Sequence, residues 1–144
     1  MLSNGYKIAR VGAIACLLGY FLPWITAGSR GSNISLNGWQ ATFGVNILGT
    51  EYGRHFLVIL VLLAPVEVAY LVYRSFKRGG VVNKRSDGFG LIAIGIVVLI
   101  IMLITSHTAT SLNMSRGLGW FLCLLAAVAF GVGGLLNYRQ VGKQ

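Results

Sequence analysis

Four apolar runs, at about residues 8–27, 55–73, 89–106 and 118–136, decide what this chain can fold into. Each approaches the roughly 20 residues that an α-helix needs to cross about 30 Å of hydrocarbon. Lipid offers no hydrogen-bond partner, so every backbone polar group must be satisfied within the spanning segment, and open strands are excluded. The expected fold class is therefore all-α membrane: a four-transmembrane-helix bundle, in a single domain covering residues 1–144. Composition agrees. Hydrophobic residues make up 56% of the chain and charged residues 10%, against about a quarter charged in soluble domains, and the mean hydropathy is +0.75.

The formal net charge of +9 raises the question of nucleic acid, since a strongly basic chain is its usual electrostatic footprint. The basic residues do not line one face, however. They sit at the ends of the apolar runs, where they set topology, and nucleic acid is not an expected partner. Lys7, Arg10, Arg74, Lys77, Arg78, Lys84, Arg85, Arg139 and Lys143 fall on one side; Arg30, Arg54 and Arg116 fall on the other. The positive-inside rule then places both termini in the cytoplasm of a multi-pass protein of the plasma (inner) membrane. Tyr20, Trp24, Tyr52 and Trp120 are expected at the outer interface, with Tyr73 and Tyr138 at the inner one, as aromatic belts. The first run has a basic start like a signal peptide, but its apolar stretch before Cys16 is short and no small-x-small site follows at Ala27; it is expected to be a retained helix.

Small residues are frequent inside the runs. Ala15–Gly19 and Ala127–Gly131 are small-xxx-small pairs of the kind that lets helix backbones approach closely in lipid. They are expected to pack this bundle, or to offer one face to another protein. Cys16 and Cys123 are expected at different depths, too far apart to bridge, as small core hydrophobes.

The stretch 28–53 separates the first two runs and is rich in Gly, Ser, Asn and Thr. It has alternating segments at 24–28, 33–36 and 39–43, the first two separated by Ser29-Arg30-Gly31-Ser32 and the last two by Asn37-Gly38. Asn-Gly between alternating segments favours a tight hairpin, because both residues tolerate positive φ. The expectation is a small antiparallel β-hairpin or sheet of two or three strands in this first outer loop. Two glycosylation triplets, Asn33-Ile34-Ser35 and Asn113-Met114-Ser115, also fall outside in this topology.

Phe21-Leu22-Pro23-Trp24 thus leads from a helix into a β-rich loop, with Gly38-Trp39 in mid-loop and Arg54 where the second helix starts. This arrangement resembles the claudin-like four-helix architecture, whose first outer loop carries a Trp, a Gly-Leu-Trp and an Arg near the second helix. The Leu of that triplet and the family's two loop cysteines have no counterpart here. Leu22-Pro23-Trp24 followed by a Gly/Ser-rich hairpin is also similar to small uncharacterised bacterial four-helix membrane proteins, a likeness that spans most of the chain and implies no activity. Trp24, Asn37, Gly38, Trp39 and Arg54 are the candidate interaction residues.

Glu67 is the ionisable residue well inside a run, and a carboxylate there is a functional candidate by default. It follows Pro65, whose ring frees a backbone carbonyl one turn earlier. It reads either as a proton or cation site beside a kink, or as an inner-leaflet acid paired with Arg74, Arg10 or Lys7. His55 and His107 open the second helix and close the third; imidazole is a common axial ligand of haem, but interfacial histidines usually bond to loops, and no cofactor or metal is expected. Arg54 with Glu51 forms an i,i+3 pair of little energetic value. Paired carboxylates, HExxH, GxSxG and P-loop patterns are absent from the sequence, and three acids leave little for acid–base chemistry. The expected function is a non-catalytic integral membrane protein, an accessory or structural subunit of a larger membrane complex. The alternative is a small oligomeric transporter or channel using Glu67. The expected partners are the lipid bilayer and either another membrane protein or further copies of the chain.

Overall fold

The computed structural model describes residues 4–29, 32–47, 50–52, 56–77, 85–111 and 114–141. The chain is mainly helical. Helix α1 (Asn4–Phe21) leads into strands β1 (Pro23–Ser29) and β2 (Ser32–Asn37), the short helix α2 (Gly38–Phe43), and strands β3 (Val45–Ile47) and β4 (Thr50–Tyr52). A 3-10 helix, Phe56–Leu62, runs into α3 (Leu63–Lys77), followed by α4 (Arg85–Ser111), β5 (Ser115–Arg116) and α5 (Leu118–Val141). Among the described residues, three segments are long and apolar enough to cross a membrane: Phe56–Arg74, Ser86–His107 and Leu118–Gln140. Helix α1 is not among them, because its first two turns carry Asn4, Lys7 and Arg10. It also stops at Phe21, short of the expected end at residue 27, because Pro23 opens a strand.

The four long helices close a ring: α1 packs on α5, α5 on α4, α4 on α3, and α3 back on α1. Helix α5 makes the most intimate contacts, and the reason is written in a seven-residue repeat. Gly5, Gly12 and Gly19 recur every seven residues on α1; Gly119, Ala126 and Gly133 do so on α5. The two series run antiparallel and meet rung by rung. A Cβ at Gly19 would lie 2.9 Å from the Gly119 carbonyl oxygen, one at Gly119 would lie 2.5 Å from the Gly19 carbonyl oxygen, and one at Gly133 would lie 2.7 Å from that of Gly5. At the middle rung, Gly12 faces Ala126 and Ala129. One residue further round, α5 offers a second series to α4. Gly134 meets Gly88, Ala127 meets Gly95, and Trp120 donates its indole N–H to the Met102 carbonyl at 3.1 Å. A strict seven-residue repeat keeps each seam facing its partner along the helix, and small residues let the backbones approach where lipid supplies no hydrophobic drive.

Both prolines in the chain leave a helical carbonyl without its usual donor, and in each case a side chain replaces it. Pro23 cannot donate to Gly19; the Trp24 indole N–H does so instead, at 2.8 Å. Pro65 cannot donate to Val61; the Cys16 thiol on α1 does, at 3.5 Å. Pro65 sits in the first turn of α3, where a missing N–H is tolerated. Cys123 in turn donates to the Cys16 carbonyl at 3.7 Å. The expectation that the two cysteines lie at different depths is therefore wrong. It extended α1 to residue 27; with the helix ending at Phe21, Cys16 falls near the end of α1 and opposite Cys123 near the start of α5. Both are buried free thiols.

The end of the bundle beyond Phe21 carries a three-stranded antiparallel sheet in the order β2-β1-β5. Strands β1 and β2 pair from Pro23↔Asn37 to Ser29↔Ser32, with a register shift between Pro23 and Ile25. The third strand comes from the α4–α5 connection, with Ile25↔Arg116 and Thr26↔Ser115 in register and a 2.6 Å bond between the Thr26 and Ser115 hydroxyls. A separate antiparallel pair joins β3 to β4. The β1–β2 connection falls between Ser29 and Ser32, where the first two alternating segments part, but the expected hairpin at Asn37-Gly38 is overturned, because residues 39–43 are helix, not strand. Asn37 is the N-cap of α2 in a capping box: its side chain accepts from the Gln40 N–H at 2.9 Å, and its own N–H donates to Gln40 Oε1 at 3.1 Å. Two orphan donors at a helix start are satisfied reciprocally, which outweighs the turn preference of Asn-Gly.

Candidate functional site

At the end opposite the sheet, α3 closes with Arg74 in its last turn and α4 opens with Asp87 in its first. A cation at a helix C-terminus and an anion at an N-terminus each complement the helix dipole. The two side chains also meet, as a two-pronged ion pair between the Arg74 guanidinium and both Asp87 oxygens. Asp87 is 4% exposed and Arg74 is 21% exposed. The Tyr6 hydroxyl on α1 donates to Asp87 Oδ2 at 2.9 Å, so one buried carboxylate gathers three helices. On the fourth helix, α5, Asn137 is buried beside Gly5. Arg74 also lies over the Tyr70 ring, 5.9 Å from its centroid.

Glu67 lies two turns before Arg74 on α3 and is half-buried. It faces α4 at Gly90, where a Cβ would stand 3.5 Å from Glu67 Oε1. Of the three bases considered as partners for Glu67, Arg74 is engaged instead by Asp87. The third apolar run begins at residue 89, so Asp87 falls just outside it. An acid at the head of a long apolar helix, with an Arg closing the preceding one, was the available signal.

At the sheet end the candidate interaction residues divide into packed and exposed. Trp24 is fully buried and edge-on to Tyr20, 6.0 Å between ring centroids. Gly38 abuts Tyr20 so closely that a Cβ would lie 2.7 Å from its ring and its carbonyl oxygen. Asn37 is the helix cap. Only Trp39, among the described members of that set, presents its side chain outward, 51% exposed. Arg54 and its proposed partner Glu51 have side chains outside the described residues, as has His55. His107 is exposed on α4. Among the aromatic residues expected at the interfaces, the side chain of Tyr52 lies outside the described residues. Tyr20, Trp24 and Trp120 are buried as packing and hydrogen-bonding groups, whereas Tyr73 and Tyr138 are exposed. The Arg116 guanidinium lies over the Trp120 ring, 5.3 Å from its centroid.

Chemically, the end opposite the sheet holds a saturated ion-pair knot with one further carboxylate beside it, and the sheet end holds a rigid cap with one outward aromatic face. No group of three or more His, Cys, Asp or Glu residues that could hold a metal ion occurs among the described residues. No family model, curated protein or solved structure matches this chain.

Proposed function

We propose that this chain is a non-catalytic, four-span integral membrane protein of the plasma (inner) membrane, with both termini cytoplasmic, acting as an accessory or structural subunit of a larger membrane complex. The observation that carries the reading is the inward commitment of its polar groups. Tyr6, Arg74 and Asp87 bind one another, the Trp24 and Trp120 indoles bind backbone carbonyls, and the Thr42 and Tyr20 hydroxyls bond at 2.7 Å. Such a bundle is built to hold a shape. Its outside is apolar on every long helix, and between α4 and α5 it has a groove of about 210 Å³ floored by Gly95, Ala127 and Gly131. A Cβ at Gly131 would meet nothing within 4 Å, so this small residue is left over from the internal packing and suits a close-approaching partner helix. Helix α1 counts as the fourth span because it lies antiparallel to α5 along its length. Lys7 and Arg10, near its start, reach the interface by snorkelling. The claudin-like architecture belongs to this proposal as an arrangement of helices and outer sheet, without that family's sealing activity.

A second reading, a small oligomeric transporter or channel, rests on Glu67, which stands outside the Arg74–Asp87 pair within a membrane-length segment. One experiment separates the two. Purification from native membranes in mild detergent is expected to bring a second membrane protein with the chain in fixed ratio, for wild type and Glu67→Gln alike. A lone species whose loss leaves every membrane complex intact contradicts the subunit reading, and reconstituted flux abolished by Glu67→Gln establishes the transporter.

A further inference from the structure

Helix α2 is two-faced. Gly38, Ala41 and Thr42 are buried against the bundle, whereas Trp39 and Phe43, one helical turn apart, are 51% and 45% exposed with ring centroids 4.5 Å apart. The six residues carry no charge. Gly44, at φ 81°, ends the helix immediately after Phe43.

Two contacts fix the height of this face. Gly38 and Thr42 rest on Tyr20, in the last turn of α1. Helix α2 also packs on the 3-10 helix Phe56–Leu62, whose Phe56 and Leu57 are exposed and begin the membrane-length segment Phe56–Arg74. Helix α2 is thus level with the point where apolar helices end, not out on the tip of the sheet. The other two tryptophans are buried with their N–H groups bonded to backbone carbonyls. Trp39 alone of the three turns outward. Aromatic rings with one apolar and one polar aspect favour the headgroup level of a bilayer.

We infer that Trp39 and Phe43 form a lipid-seated anchor: α2 lies in the interface of the outer leaflet, its aromatic pair among headgroups and upper acyl chains, and holds the sheet against the membrane surface. The inference rests on the four-span reading above, and its test separates the two. The protein is placed in phosphatidylcholine vesicles, and the fluorescence of Trp39 is taken as the difference between wild type and Trp39→Phe, a change that keeps an aromatic ring on the exposed face. That difference is expected to lose most of its intensity when the lipid is brominated high on the acyl chain, less when bromine sits near the chain end, and little with aqueous iodide. Quenching by iodide without quenching by brominated lipid overturns the anchor, because the face then looks into water. Insensitivity to both also overturns it, since a protein surface, such as a second copy of the chain, then covers the pair. Alkaline carbonate extraction of the same vesicles identifies which claim fell: a retained protein with unquenched Trp39 sinks only the anchor, and an extracted protein sinks the membrane-spanning reading with it.

Discussion

Gly119→Val is expected to separate α1 from α5 and to lower stability by about 3 kcal/mol, the upper end of what overpacking a close-packed core costs. The obstruction is backbone. Even a Cβ at this position would stand 2.5 Å from the carbonyl oxygens of Gly19 and Leu22, and neither can rotate aside as a side chain does. Gly19→Val meets the Gly119 carbonyl and the Cys123 sulfur at 2.9 Å and should behave alike. The control is Gly131→Ala on the same helix, which enters open space; it should be neutral or slightly stabilising, since Ala is the better helix former by up to about 1 kcal/mol. Unfolding of the purified protein in mixed micelles, followed by circular dichroism, provides the comparison. Equal midpoints for Gly119→Val and Gly131→Ala would remove the seam from the account.

Asp87→Ala is expected to cost about 3–5 kcal/mol, because it strands the Arg74 guanidinium at a largely buried site and removes the acceptor of the Tyr6 hydroxyl. The double variant Asp87→Ala/Arg74→Met should recover much of that loss, since replacing both partners leaves no uncompensated charge. Glu67→Gln should be far milder, because Glu67 does not take part in the pair. The same micelle unfolding measures all three. A double variant no more stable than Asp87→Ala alone would show that the carboxylate acts through contacts other than the ion pair.

Much of this architecture is readable in the residues, and the misses have definite causes. Run length and hydropathy locate three of the helices. They overextend α1, because hydropathy continues through Ile25 and Ala27 while Pro23 has already ended the helix. That single error put Cys16 at the wrong depth. The glycines at 5, 12 and 19 are visible as a repeat, but their meaning depends on the antiparallel series at 119, 126 and 133, which local sequence does not align. Asn37-x-x-Gln40 is a capping-box signature in plain view; reading Asn-Gly as a turn hid it. The third strand was beyond reach, since β5 is two residues long and joins the sheet from the far end of the chain. In the candidate site, Glu67 is conspicuous because a carboxylate inside a span is rare, whereas Asp87, at a helix end, is distinguished only by the Arg74 and Tyr6 side chains that fold around it. Trp24 stood out for an aromatic belt and proves to be the donor that replaces the missing N–H of Pro23.

Four spans with both ends on one side is the claim from which the rest follows, and α1 is its critical element. The most direct measurement labels single cysteines from either side of sealed, oriented membrane vesicles, in a Cys16→Ala/Cys123→Ala background. Asn4→Cys and Gln140→Cys are expected to react with an impermeant maleimide only from the cytoplasmic face, and Ser35→Cys only from the opposite face. Labelling of Asn4→Cys and Gln140→Cys from opposite faces would mean that α1 does not cross, and would contradict the account.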